Sequence, residues 1–314
     1  MSALPVAMDS RTLLPSLDKA LASIASGEAP AGMDLLVRSL KKCRGTRAAG
    51  LWRDETCQAI RAHPVREWVH QDPLTAHGFR KARGYSGDAV LMDHIYGVNR
   101  LVAWPHPSTT AGKLYYCSTN AASSRALRYG RGLMAKLIDS AAARRTAPRI
   151  LALGAGHLRE IELCRSAARG RYGRFVALDQ DNASLQVASA DYDRLDIETA
   201  NLPVESLQGN HFTGEFDLVY AAGLLDSLSE HNARKLVQVM FAALRPGGTM
   251  IYSNLLPHID DAAYLEAMMD WWLAYRTQQE LTALASGLPA QEIRSLSCTN
   301  DPDNLIAFVT LHRA

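Results

Sequence analysis

Cysteine is scarce in this chain. Its five residues, Cys43, Cys57, Cys117, Cys164 and Cys298, are odd in number, scattered, and form no C-x-x-C pair. That pattern argues against a disulfide framework and against a metal site. Reduced thiols, and with them a cytoplasmic location, are the expectation. Excess charge is also scarce: 34 basic against 32 acidic residues leave a net +2, too little to imply a nucleic-acid partner. Apolar residues make up 47% of 314, enough for the core of one large or two modest domains. No apolar run approaches the ~20 residues of a membrane span. The start of the chain has Asp9 but no basic segment followed by an apolar block, so no secretory leader is expected. Internal repeats and low-complexity tracts are absent.

What is present is organised around Arg149-Ile150-Leu151-Ala152-Leu153-Gly154-Ala155-Gly156-His157-Leu158-Arg159-Glu160. The apolar run reads as a buried parallel strand, the glycines as a sharp turn, and the residues after them as the start of a helix. A Cβ in such a turn would block the close approach of a ligand. Two further signals are missing here. A dinucleotide fingerprint needs a third glycine at 159, where Arg159 stands, and a P-loop needs G-x-x-x-x-G-K-[ST]. Gly154, Ala155 and Gly156 therefore suit a nucleoside ligand without a pyrophosphate, such as S-adenosylmethionine (SAM). Glycines serving turn geometry alone are the alternative, and the downstream order has to decide.

That order is informative. Arg174 to Asp179 reads as a second strand ending in an acid, 23 residues past Gly156. An acid there reaches ribose hydroxyls, and a carboxylate is a strong acceptor for a diol. Gln180 lies beside it, and Asp181 competes for the role or caps the next helix. A third strand near Leu195 to Thr199 leads to Asn201 and Leu202, which face an adenine or merely form a loop. The fourth strand, Phe216 to Tyr220, opens into Ala221-Ala222-Gly223-Leu224-Leu225-Asp226. Ala221 and Gly223 would border the ligand, because open α/β sheets bind ligands at the switch point. A helix over about 230–244, a turn at Arg245-Pro246-Gly247-Gly248 and a strand over Thr249–Asn254 follow. Tyr264 to Tyr275 reads as an aromatic helix, on which Trp271 and Trp272 cannot share a face. Ile293–Cys298 and Leu305–Leu311, joined by a turn-rich link, predict an antiparallel hairpin.

Upstream, Leu13, Leu17, Leu21 and Ile24 recur at helical spacing, as do Leu35, Leu36 and Leu40. A third helix is expected over about 48–70, disturbed at Pro64. Ser118 or Thr119 is expected to cap a long helix running to about Ala143. The predicted fold class is α/β: a Rossmann-like sheet of parallel strands with a C-terminal antiparallel hairpin, under an N-terminal helical cap. The expected division is a cap or substrate-binding domain over 1–117 and a cofactor-binding domain over 118–314, with a leading helix over 118–144.

The run Leu153-Gly154-Ala155-Gly156, Leu178-Asp179, Phe216-Asp217-Leu218-Val219, Leu244-Arg245-Pro246-Gly247-Gly248 and the terminal hairpin resembles a class I SAM-dependent methyltransferase. A narrower likeness covers about 71 onward. Arg83-Gly84-Tyr85-Ser86-Gly87-Asp88, Asp93-His94-Ile95-Tyr96-Gly97 and Asp270-Trp271-Trp272-Leu273-Ala274-Tyr275-Arg276-Thr277 are similar to the bacterial extracellular factor 3-hydroxypalmitic acid methyl ester biosynthesis family. The likeness implies carboxyl O-methylation of a hydroxylated fatty acid or similar small acid, in a pocket between cap and core. An N- or O-methyltransferase tailoring a secondary metabolite is the alternative. A SAM-binding sensor or scaffold without turnover is the opposed reading. RNA methylation is disfavoured, since no Asn/Asp-Pro-Pro-aromatic tetrad follows the fourth strand.

An ionised carboxylate acceptor needs orientation rather than a base, and Arg83, Tyr85, His94 or Arg276 could supply it. An amine or hydroxyl acceptor needs its proton removed. His94 is then the first candidate base, oriented by Asp93 or Asp226. Asp88 either caps the following helix or, with Tyr85, holds the methionine end of SAM. The N-terminal helices are the candidate surface for a homodimer.

Overall fold

The computed structural model describes residues 10–207 and 212–314. Residues 1–9, on which the expectation of no leader rests, lie outside the described residues. The chain divides into two compact units. A helical unit comprises Met1–Arg125 with Ile259–Trp272, and a sheet unit comprises Ala126–His258 with Leu273–Ala314.

The sheet unit is built on seven strands: β1 Arg149–Leu153, β2 Arg174–Asp179, β3 Ile197–Asn201, β4 Phe216–Ala221, β5 Leu244–Leu255, β6 Ile293–Asn300 and β7 Ile306–Arg313. Their order is β3-β2-β1-β4-β5-β7-β6. The first five pair in parallel, and β7 runs antiparallel to both β5 and β6. The predicted parallel sheet and terminal hairpin are thus both present, and the fold is that of a Rossmann-like class I methyltransferase. Every residue of β4 is buried, as are all but the first of β1 and β2. Strands covered on both faces read as continuous apolar runs rather than alternating ones. The order reverses between β1 and β4, and that switch point puts a crevice at their carboxyl ends. The helix Glu230–Ala243, capped by Ser229, buries Leu236, Val237 and Met240 against the sheet.

Several elements differ from the sequence reading. No α-helix opens after the glycines: Leu158 is left-handed (φ 54°), and only 3-10 turns follow at Arg159–Leu163 and Ala167–Arg169. A left-handed non-glycine residue cannot continue a right-handed helix. The long helix expected from 118 or 119 is present as Ala122–Arg144, and a separate helix, Thr110–Thr119, precedes it. Thr109 caps the preceding helix. Ser118 and Thr119 donate back to the Tyr115 carbonyl instead of capping the long one. The long helix receives its cap from afar, the Asp261 carboxylate accepting the Ser123 N–H at 3.1 Å. Residues 245–248 form no separate turn. They belong to β5, which bulges against β4 between Phe216 and Leu218.

The aromatic helix is also shorter than its composition predicts. It spans Ala262–Met268, all seven residues buried, and ends where Asp270 turns left-handed (φ 49°). Trp271 and Trp272 therefore lie beyond the helix, and no helix face separates them. The segment is tied into the helical unit by polar groups. Arg44 grips the Glu266 carboxylate with two bonds (2.7 and 2.9 Å), and Trp52 Nε1 adds a third at 2.7 Å. Arg61 donates to the Ala267 and Glu266 carbonyls. A buried carboxylate so paired is held firmly, because removing either partner strands a charge.

Candidate active site

In the sheet unit the register places Leu153 beside Leu178, so Gly154–Gly156 and Asp179 emerge side by side. Gly154 has φ 66°, and a Cβ there would stand 3.2 Å from the Leu224 side chain. The Gly156 N–H donates to Asp179 Oδ2 and the Asp181 N–H to Asp179 Oδ1, both at 2.8 Å. Asp179 is 9% exposed. Burial raises its pKa, while the N–H bonds from Asp181 and Gly156 pull it down. Each of its oxygens keeps a lone pair beyond the backbone bond, the requirement for accepting a ribose diol.

Asp181 is placed otherwise. It caps the helix Asn182–Asp191, accepting from Ala183 N at 3.0 Å and Ser184 Oγ at 2.7 Å. Asn201 pairs with Asp179 across β2 and β3. Its amide donates to the Asp179 and Gln180 carbonyls (3.1 and 2.9 Å), and Leu202 N–H joins the first of these. The Asn201 amide oxygen is left as an acceptor suited to an adenine amino group. Ala221 ends β4, and Gly223 (φ 76°) donates its N–H to Ser253 Oγ. A glycine cradle, a buried acid with lone pairs to spare and an amide acceptor fit SAM without rearrangement.

Two charged groups stand just past β4. Asp226 is 2% exposed, accepts Leu255 N–H on Oδ1 at 2.7 Å, and has no partner for Oδ2 among the described residues. Burial pushes its pKa up to about 7, against the opposing pull of the Leu255 N–H and the Arg276 charge. Arg276 is buried too. Its guanidinium donates to Leu225 O, Asn254 Oδ1 and Leu228 O, each at 2.7 Å. So engaged, it ties the 225–228 loop to β5. Glu160 and Tyr220 form a further buried pair, the phenol donating to Glu160 Oε1 at 2.5 Å. Nothing in their spacing signals it.

In the helical unit, Asp88 caps the helix Ala89–Tyr96 by accepting Leu91 N–H at 2.8 Å. Both its oxygens also meet His77 Nε2, at 2.8 and 2.9 Å. His77 carries no signal in the sequence, since only the packing of Pro73–Arg80 on the next helix brings it there. His94 is buried between His77 and Tyr115, with ring centroids 6.0 and 5.7 Å away. Its Nδ1 has no hydrogen-bond partner among the described residues. Burial, and then the His77 charge, lower its pKa to about 4, despite the carboxylates of Asp93 and Asp88. Asp93 is fully buried and Tyr85 half-buried.

The two segments that stood out in the sequence meet here. Gly87 has φ 78°, and a Cβ on it would lie 3.0 Å from the Trp271 indole. Ser86 Oγ donates to the Asp270 carbonyl at 3.2 Å. The Asp270 carboxylate is partly buried, but bonds from Lys81, Trp272 and Arg61 hold its pKa down at about 2.

Residues 150–248 match the methyltransferase domain family. No curated protein matches the chain. Among solved structures it is similar to a possible exported protein from Bordetella parapertussis, with TM-score 0.61 and 16% identity over 85% of this chain and 97% of that one. It is also similar to magnesium protoporphyrin IX methyltransferase (ChlM) from Synechocystis PCC 6803 with bound S-adenosylhomocysteine (SAH), at TM-score 0.46 and 12% identity over 61% and 87% of the two chains. A third likeness is to the N-methyltransferase NodS from Bradyrhizobium japonicum WM9 in complex with SAH, at TM-score 0.44 and 15% identity over 60% and 87%. The matched domain runs from the glycine cradle through Asp179, Asn201 and Gly223 into β5. The chain carries a class I methyltransferase domain, and the protein is a SAM-dependent methyltransferase. No helix among the described residues is long and apolar enough to cross a membrane.

Proposed function

We propose that the protein methylates a carboxyl oxygen of a small acid, a hydroxylated fatty acid or one of similar form. The observation that carries this reading is the state of His94. Its conjugate acid, with a pKa of about 4, makes it a weak base at neutral pH. An amine or hydroxyl acceptor would call for a stronger one. A carboxylate is already ionised at neutral pH and needs only to be held in line.

When bound, SAM supplies a methyl group on an activated sulfonium. Gly154, Ala155 and Gly156 would admit it against the backbone, Asp179 would accept the ribose hydroxyls, and Asn201 with Leu202 would face the adenine. Gln180, Ala221 and Gly223 would complete that wall. The positive charge of Arg83, the phenol of Tyr85 and the neutral His94 imidazole would orient the carboxylate, with Asp93 and Asp88 fixing that corner. Arg276 keeps the loop after β4 in place. Gly87, left-handed and packed under the Trp271 indole, ties the 83–88 loop to the segment after Asp270.

A second reading, N- or O-methylation of a neutral acceptor, is favoured by Asp226. A carboxyl with a pKa near 7 and an open Oδ2 is poised to take a proton. One experiment separates the two. Purified protein is incubated with methyl-labelled SAM and an extract of the source cells, and the products are treated with alkali. Label released as volatile methanol is expected of a methyl ester. Label retained in a small organic product would overturn the carboxyl reading and move attention to Asp226. SAM binding without any transfer would favour a sensor.

A further inference from the structure

A pocket of about 550 Å³ opens in the sheet unit at the amino-terminal ends of β4 and β5, the end of the sheet opposite the glycine cradle. Among the residues lining it are Arg144, Arg145, Asp217, Thr249, Arg294 and His312. Its charges do not balance. Asp217 is the one acid of the lining, and it is engaged three times: by Arg145 at 2.7 Å, by Arg245, and by the Arg149 N–H at 2.8 Å. Arg144 and Arg294 have no carboxylate among the described residues. Both are close enough to His312 to add their repulsion to its burial in lowering its pKa.

Bare arginines on an open surface are merely solvated. Here two of them line the same pocket from separate elements, the end of the helix Ala122–Arg144 and the start of β6, together with His312 of β7. Thr249 and Ser295 line the same space. Thr249 Oγ1 bonds His312 Nδ1 at 2.9 Å. In the tautomer where Nδ1 accepts, Nε2 carries a proton and becomes a further donor.

We infer that this pocket binds a small oxyanion-bearing ligand, a phosphate ester or a polycarboxylate, clamped by Arg144 and Arg294. Guanidinium forks match either group bidentately, and the pocket lies within the size range of small-molecule sites, about 300–1,000 Å³. The site is separate from the methyl-transfer machinery, so the inference stands whatever the acceptor proves to be.

The test is calorimetric titration of the full chain with inorganic phosphate and, separately, citrate, at fixed ionic strength. Saturable binding of at least one is expected. The Arg144→Ala/Arg294→Ala double variant should weaken it at least about 10-fold, the loss of two charge-assisted contacts. Arg38→Ala/Lys42→Ala, which removes two exposed charges elsewhere, should not. Unchanged SAM affinity in both variants certifies the fold. Binding of phosphate alone assigns a phosphate ester; binding of citrate alone assigns a polycarboxylate. No saturable binding of either below ~10 mM, equal binding by the Arg144/Arg294 variant, or equal loss in the control pair would overturn the inference.

Discussion

Asp226→Asn is the substitution whose consequence is best specified. In the folded protein burial lifts the Asp226 pKa from 3.8 to about 7. The native state therefore holds this proton more tightly than the unfolded chain does. Its contribution to stability is full below the unfolded value and is lost as pH rises through about 7. Above that, a charged carboxylate stays buried with one oxygen unpartnered. At about 1.4 kcal/mol per pH unit, the whole change is on the order of 4 kcal/mol. Asparagine keeps an oxygen for the Leu255 N–H but cannot ionise, so its proton-linked slope vanishes. The charge beside Arg276 is present in wild type only above about pH 7, and its pull is already contained in the shifted pKa, so it adds no separate term to the comparison. The measurement is urea unfolding of wild type and Asp226→Asn at intervals from about pH 4.5 to 8.5. Far-UV circular dichroism should be the probe, because all five tryptophans lie in the helical unit and would miss the sheet. The wild-type stability relative to the variant should fall steadily from about pH 4.5 to about 7 and flatten above that. Taking the difference cancels the titration of all other groups. Parallel profiles would refute the reasoning, and would mean that Asp226 ionises like an ordinary surface acid.

The other predictions concern the glycine cradle with its neighbouring acids and the corner around His94. Asp179→Ala should weaken SAM binding about 10-fold or more, by loss of charge-assisted bonds to the ribose, whereas Asp181→Ala should cost about 1 kcal/mol of stability as a lost helix cap and leave SAM affinity nearly unchanged. Titration of both variants with SAM, alongside their melting curves, checks this, and equal effects would dissolve the distinction between the two acids. Gly154→Ala should destabilise by about 1–2 kcal/mol, because the new Cβ must adopt a left-handed φ and press on Leu224; denaturant unfolding at the wild-type level would refute that. If turnover requires neutral His94, its acid limb should fall near pH 4 rather than near 6.5. Single-turnover rates against pH read this directly. A limb near 6.5 would mean that the imidazole is solvated.

Much of the sheet unit was legible because its signals are contiguous. A strand buried on both faces writes itself as an apolar run, and β1, β2 and β4 each do so. Turns that need a left-handed φ write themselves as glycine, as at Gly154 and Gly223. The order of those signals determined a parallel sheet closed by a hairpin, since connectivity allows few alternatives. Local pattern misled where a residue departed from its type. Leu158 and Asp270 take left-handed conformations without being glycine, so the helix expected after β1 does not form and the helix expected through Trp272 ends at Met268.

Only the tertiary structure decided which side chain does what. Asp179 is the favoured ribose acceptor in the sequence, but Asp181, two residues on, competes for the role. Packing gives one to Gly156 and the other to a helix end. His77 reaches Asp88, and Gly87 lies under Trp271, through contacts between segments that no period connects. Arg276 looked available, but three acceptors distant in the chain already occupy it. Hydrogen bonds and burial between remote segments depend on how elements pack, and a linear pattern records only what each element does to its own neighbours.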